Sequence, residues 1–234
     1  EKDKRPGGIL RYGIPDFKLE KWVLDQRVDL MTQEGVVFEC GVDVGDDVSY
    51  RFLRDRFAAV ELAGGAGVPR DLEVPGRGLS GIHFAMDFLT QQNKVNAGEQ
   101  IPAVRRISAA GKSVVVIGGG DTGADCIGTS WRQGARNVVQ LEILPEPPAT
   151  RSETTPWPQW PLLRRDSSSH KEGGTRYWSV DTTAFSGEQD RVRRVHCTQV
   201  EWRLDENLGR PCPVEIPGSA FTLDADLVLV AMGF

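Results

Sequence analysis

The stretch "VVVIGGGDTGADC" (114–126) opens on four β-branched residues, turns on three consecutive glycines and runs on into small residues. Gly118, Gly120 and Gly123 have GxGxxG spacing. They stand between a strand-forming run, "SVVVIG" (113–118), and a helix expected over 121–133. A bare GxGxxG arises often by chance, but strand, glycines and helix in this order make the turn that holds a dinucleotide. The first glycine permits the tight turn, the second lets the backbone approach a pyrophosphate, and the third lets the helix pack close to the strand. Free N–H groups at the helix start, together with the positive end of its dipole, then face the phosphates. Gly119 completes the loop. Asp121 and Thr122 lie beside the anion, with the Thr122 hydroxyl the better donor.

Working outward, the next strand, "NVVQLEIL" (137–144), ends near Glu142, about 20 residues past the loop, where such a fold reads the adenosine ribose. A carboxylate there accepts from both ribose hydroxyls and repels a 2′-phosphate, which favours NAD over NADP. The alternative is a Glu142 that points to solvent. Arg151, a little further on, either reaches a 2′-phosphate or is a plain loop charge. The choice between NADH and NADPH therefore stays open.

Before the loop, "FKLEKWVLDQRVDLMTQE" (17–34) carries apolar residues at helical spacing and is stopped by Gly35. "VVFEC" (36–40) reads as a strand, "VSYRFLRDRF" (48–57) as a helix and "AAVEL" (58–62) as a strand, which makes one β/α series. "GGAGVPRDLEVPGRGLSG" (64–81) has the Gly and Pro content of a boundary, and "GIHFAMDFLTQQ" (81–92) reads as a helix that opens a second series. After the loop region, "PEPPATRSETTPWPQWP" (145–161) is too rich in proline for regular structure. "VRRVHCTQVEWRLD" (192–205) alternates as an antiparallel strand does, and "ADLVLVAMG" (225–233) is the continuous apolar run of a strand buried in a sheet. The expected class is α/β with an antiparallel excursion.

The chain has 234 residues, 26% charged, with a formal net charge of −5, so no basic surface advertises nucleic acid or an anionic membrane as a partner. Its densest basic cluster, "RVRRVH" (191–196), reads as the solvent face of a strand. No apolar run approaches the roughly 20 residues of a membrane span, and "EKDKRP" at the start is not a signal peptide. Cys40, Cys126, Cys197 and Cys212 lack CxxC spacing, which excludes a legible zinc or iron–sulfur site and fits a reducing compartment. Cys126 reads as a small buried residue. His83, His170 and His196 form no cluster and read as structural or surface residues. With no initiator Met and an end on "LVLVAMGF", both ends are expected to cut through structure, so the chain is expected to be a fragment.

Taken together, "PGGILRYGIPDFKLEK" (6–21), "GVPRDLEVPGR" (67–77), "GIHFAMDFL" (81–89), "VVVIGGGDTGADCIGTS" (114–130), "LEILPEPP" (141–148), "PWPQWP" (156–161), "SSSHKEG" (167–173) and "ADLVLVAMGF" (225–234) resemble the small, NAD(P)H-oxidising subunit or domain of glutamate synthase. They fall in the family's order and span nearly the whole chain. The glycine loop alone speaks only for dinucleotide binding; "RYGIPDFKL" and "PWPQWP" make the resemblance specific.

The resemblance implies a two-dinucleotide flavoprotein, with a Rossmann-like NAD(P)-binding domain (81–234) inserted in a partial FAD-binding domain (1–80), and 225–234 leading back to the latter. It implies an electron-input module for glutamate biosynthesis and ammonia assimilation. NADPH or NADH would give hydride to FAD, and electrons would leave through iron–sulfur clusters outside this segment to a large subunit or domain. Glu1 would bind the FAD ribose, Gly7, Gly8 and Arg11 would line the flavin's path, and "AGGAG" (63–67) would return toward that cofactor. The family's cysteine-rich region, first GxGxxG and C-terminal FAD contact have no counterpart here. A cytoplasmic site, or an organellar one in a eukaryote, goes with this reading. Trp157 and Trp160 would form a partner surface or pack over the edge of the nucleotide domain. Rival readings are a related NAD(P)H-dependent flavoprotein, a single-site dehydrogenase that needs a base near the nicotinamide, and a nucleotide-sensing scaffold.

Overall fold

In the computed structural model, which describes residues 1–234, the β-branched run before the glycines is the middle strand of a parallel sheet. In chain order the helices are α1 (Gly8–Tyr12), α2 (Lys21–Gln33), α3 (Tyr50–Arg56), α4 (Ala85–Asn96), α5 (Asp121–Arg132) and α6 (Ser168–Lys171). The strands are β1 (Ile82–Phe84), β2 (Ser113–Ile117), β3 (Asn137–Glu142), β4 (Thr175–Trp178), β5 (Val180–Glu188), β6 (Arg191–Asp205), β7 (Arg210–Glu215), β8 (Phe221–Asp224) and β9 (Leu227–Val230). Contacts divide the chain into two units: residues 1–68 with 89–102, and residues 69–88 with 103–234.

The second unit holds the parallel sheet, ordered β1-β9-β2-β3-β4. Val115 lies opposite Val228 and Val139, and Ile117 opposite Val230 and Leu141, so the late strand β9 is threaded between β1 and β2. Both faces of these strands are covered, which is why they read as unbroken apolar runs. On one face Val115, Ile117, Val139, Leu141, Val228 and Val230 share a core with Val180, Phe185, Val192, Val195 and Cys197. The latter residues come from β5 and β6, part of an antiparallel sheet in which β6 pairs with β5, β7 and β8. On the other face α5 buries Ala124 and Ile127 and packs against β2 and β3. The result is three layers: helices, parallel sheet, antiparallel sheet.

Local chemistry sets the ends of these elements. α5 stops at Gln133, where Gly134 takes φ of 82° and its N–H, with that of Ala135, returns to the carbonyls of Trp131 and Ser130. β5 and β6 are joined across Gln189 and Asp190, both at positive φ, the two-residue turn whose twist matches an antiparallel pair. The antiparallel strand expected over 192–205 is present as β6, but its alternation is interrupted: Val192, Val195, Cys197, Thr198 and Val200 are buried, and the pairing with β5 shifts register between Ser186 and Gly187.

In the first unit, "GILRY" is α1, and the Asn93 side-chain amide donates to the carbonyls of Tyr12 (2.9 Å) and Ile14 (3.1 Å), tying the segment after α1 to α4. Two expected strands are absent. Residues 36–40 and 58–62 carry no ladder; Val37 and Leu62 are each 79% exposed. β propensity makes a strand only where a neighbour supplies the other half of the hydrogen bonds. Residues 39–42 find only a short partner in residues 1–3, through Glu1 N to Glu39 O (3.0 Å) and Gly41 N to Asp3 O (3.0 Å). The helix expected from residue 81 starts at Ala85, because Ile82–Phe84 pairs with β9 instead.

Leu229 is fully buried in β9, and Leu229→Ala is expected to lower the unfolding free energy by about 2–5 kcal/mol. Leu62→Ala should change it by less than about 0.5 kcal/mol. Urea unfolding of both variants beside the parent checks this; equal losses would contradict the placement of β9 in the core.

Candidate functional site

The glycine loop crosses from β2 to α5, and each glycine meets a different constraint. Gly118 has φ of 124°, donates its N–H to Leu141 O (2.8 Å), and any Cβ on it would fall on the carbonyl oxygen of Ala231. Gly123 faces back onto the loop: its Cβ would collide with Gly118 O and lie 2.9 Å from the Gln140 amide nitrogen. Gly120 is unlike either. It caps α5 with φ of −77°, and a Cβ there would meet no atom within 4 Å. The first bond of the helix runs from Ala124 N to Gly120 O (3.0 Å), and no protein acceptor takes the N–H groups of Gly119, Gly120, Asp121 or Thr122. Several unpaired donors thus stand at the positive end of a three-turn helix, beside open space.

Glu142 closes one side of this space. It ends β3, its Oε1 accepts from Leu144 N (3.0 Å), and its carboxylate lies against the Cα of Gly119, where a side chain on that residue would be. The structure therefore brings together Gly118, Gly119, Gly120, Asp121, Thr122, Gly123 and Glu142. Arg151 is not drawn to them by any hydrogen bond. It is exposed, and its guanidinium reaches the carbonyls of Thr155 (3.3 Å) and Gln159 (3.4 Å) in its own loop.

Glu1, Gly7, Gly8 and Arg11 belong to the first unit. Glu1 holds the N–H of Asp3 through its carboxylate (3.1 Å) and is exposed. Gly7 and Gly8 both take positive φ at the start of α1. Arg11 is buried, donating to Pro6 O (2.6 Å) and to Asp25 (2.7 Å).

The structure adds two residues to which the sequence reading gave no part. Gln140 is 1% exposed in the middle of β3, and its side-chain amide donates to Gly118 O (2.8 Å). Its carbonyl faces His170 Nε2 (3.0 Å), and His170 Nδ1 accepts from the backbone N–H of Ser167 (3.1 Å). The signal was an amide in an otherwise apolar strand, two residues before Glu142 and so on its face. His196 lies on β6 and pairs with Ser186 (2.7 Å). Burial holds His83 below the usual imidazole range. Burial also pushes the Cys126 thiol well up and that of Cys197 to about 12, so both stay protonated and unreactive. No three His, Cys, Asp or Glu side chains converge as a metal site would require, and no helix is long and apolar enough to cross a membrane.

These contacts separate the glycines by a stability measurement. Gly118→Ala and Gly123→Ala must displace backbone and are expected to lower the melting temperature markedly, whereas Gly120→Ala should cost no more than about 1 kcal/mol. Differential scanning calorimetry of the three variants distinguishes them, and a large loss from Gly120→Ala would contradict the open space beside it.

No family model matches the chain. Along its full length it is similar to the glutamate synthase [NADPH] small chain of Mycobacterium tuberculosis, 52% identical over 237 residues and covering 47% of that protein. It is 36% identical to the Bacillus subtilis glutamate synthase [NADPH] small chain, again over the whole chain and 49% of the relative. Against the glutamate synthase [NADH] of Schizosaccharomyces pombe it is 43% identical and covers 12%. The chain thus spans about half the length of the bacterial small chains it matches. Among solved structures it superposes on FprA, a Mycobacterium tuberculosis oxidoreductase, with a TM-score of 0.74 at 19% identity, covering all of this chain and 63% of that one. FprA has also been solved with NADPH, and that structure superposes with a TM-score of 0.74 at 18% identity. The fold of this chain is therefore the α/β fold of the matching part of FprA.

Proposed function

We propose that this chain, which corresponds over its whole length to about half of a glutamate synthase small chain, is the part of a flavoprotein that binds NAD(P)H and presents it to FAD. On this reading residues 81–234 are the nicotinamide-nucleotide domain and residues 1–80 contribute to the FAD-binding domain. The observation that carries it is the space over Gly120, where a Cβ would meet no protein atom within 4 Å, beside N–H donors that take no protein acceptor. A Cβ on Gly118 or Gly123 strikes the protein; one on Gly120 would strike only a ligand.

The residues have defined tasks in this role. The N–H groups of Gly119 through Thr122 and the dipole of α5 hold the pyrophosphate, with the Thr122 hydroxyl and Asp121 at its edge. Glu142 accepts from the adenosine ribose, and Arg151 is the cation available to a 2′-phosphate. Glu1, Gly7, Gly8 and Arg11 serve the FAD side, where buried Arg11 works by fixing the α1 turn through Pro6 and Asp25. When bound, the nicotinamide and flavin supply the hydride chemistry themselves, so the protein needs to orient them and exclude water rather than furnish an acid or base. The partner is the large subunit or domain of glutamate synthase, and the exposed indoles of Trp157 and Trp160 are the surface we assign to it.

In the full-length protein, Gly120→Val should abolish NAD(P)H binding in calorimetry while the variant stays folded. Glu142→Ala should narrow any preference for NADH, and Arg151→Ala should weaken NADPH alone by about 1.5–3 kcal/mol if it clamps the phosphate. The same protein should be yellow and be bleached by NADH or NADPH without oxygen. A colourless full-length protein that takes up no added FAD would leave the single-site dehydrogenase as the better reading.

A further inference from the structure

We infer that His170, acting through Gln140, is a positioning residue for the nucleotide loop; this rests on the loop being the nucleotide site. The direction of each hydrogen bond follows from chemistry. The backbone N–H of Ser167 can only donate, so His170 Nδ1 receives it as a lone pair. The neutral ring then carries its proton on Nε2 and gives it to Gln140 Oε1, 3.0 Å away. With its oxygen so engaged, the amide of Gln140 turns its nitrogen to Gly118 O at 2.8 Å. The relay has one sense only: Ser167 to His170, His170 to Gln140, Gln140 to Gly118.

Its end point is a peptide plane. In a trans peptide the C=O and the following N–H point in opposite directions, so holding Gly118 O toward the sheet aims the N–H of Gly119 away from it. That N–H is one of the donors without a protein acceptor. An isolated amide at Gln140 could flip and present its oxygen to Gly118 O, which would repel the carbonyl and swing the plane. His170 removes that option. Gln140 is almost fully buried, so in the intact protein its amide is held by Gly118 O and His170 rather than by water.

Two replacements separate the relay from a structural role. His170→Asn keeps an acceptor near the Nδ1 position for Ser167 but loses the donor to Gln140. His170→Gln keeps a donor near Nε2 and, at the third position of a Ser-x-x-Gln capping box, an acceptor for the Ser167 N–H. In the full-length protein, titrated with NADP⁺ and with NAD⁺, His170→Asn is expected to bind roughly five- to tenfold more weakly, with His170→Gln near the parent. Both variants keep an acceptor for the Ser167 N–H, so their melting temperatures should stay close to each other. The backbone amide chemical shifts of Gly119 and Gly120, recorded without nucleotide, should move in His170→Asn and stay at the parent positions in His170→Gln. If both variants bind alike and leave the Gly119 and Gly120 shifts alike, or if binding simply follows the melting temperature, the positioning role is overturned. A parent that binds neither nucleotide, with the shift difference between the two variants still present, would overturn the nucleotide-site reading and leave the relay standing.

Discussion

The approach of Gly123 to the carbonyl of Gly118 is the contact on which the rest of this structure depends. It lets α5 start directly at the end of β2, with no side chain between helix and loop. The same carbonyl receives the amide of Gln140 on its other flank, so one backbone oxygen is the meeting point of the loop, α5 and β3. Gly118 itself is pressed against Ala231 O, just past β9. Four segments thereby meet at the loop, and only hydrogen fits where Cβ atoms on Gly118, Gly119 and Gly123 would otherwise stand.

That crowding needs a stiff background, which the layers supply. The odd-numbered residues of β2 and β3 and the even-numbered ones of β9 are locked against β5 and β6, while α5 covers the opposite face. At the other end of the sheet Asp226 binds Ser113 N (3.1 Å), Arg136 (3.1 Å) and Arg193 (2.9 Å), joining the starts of β2, β3 and β9 to β6. These ion pairs are partly exposed and each contributes little. Their effect is on register: β9 is pinned beside β2 although more than a hundred residues separate them.

The approach of α6 to α5 has a visible cost. Ser130, on α5, and Ser169, on α6, are fully buried with hydroxyls that find no partner, and Thr129 is in the same position. An unpaired buried hydroxyl is unfavourable by about 1–3 kcal/mol. What small side chains allow is proximity, and proximity places His170 within hydrogen-bond reach of Gln140. The polar strain around α5 and α6 and the polar order at the loop are two sides of the same packing.

Much of this molecule was legible from residue order alone. Strand, glycines and helix at 113–133 are local: β-branching, three glycine positions and helical periodicity suffice, and the structure reproduces them within a residue or so. The helix α2, the strand β6, the irregular 145–161 and β9 as a buried strand were also legible, although α2 starts four residues later than expected and the alternation of β6 is broken by a register shift against β5. Residues 36–40 and 58–62 misled because a strand needs a partner that propensity does not provide, and residues 82–84 misled because β9, far away in the chain, captured them. Tertiary structure alone decided that Glu142 folds back over Gly119, that Gln140 and His170 stand behind the loop, and that Gly120 is the glycine of this loop that faces open space. Those facts depend on distances between residues remote in sequence, which only the closed sheet and the packed helices define.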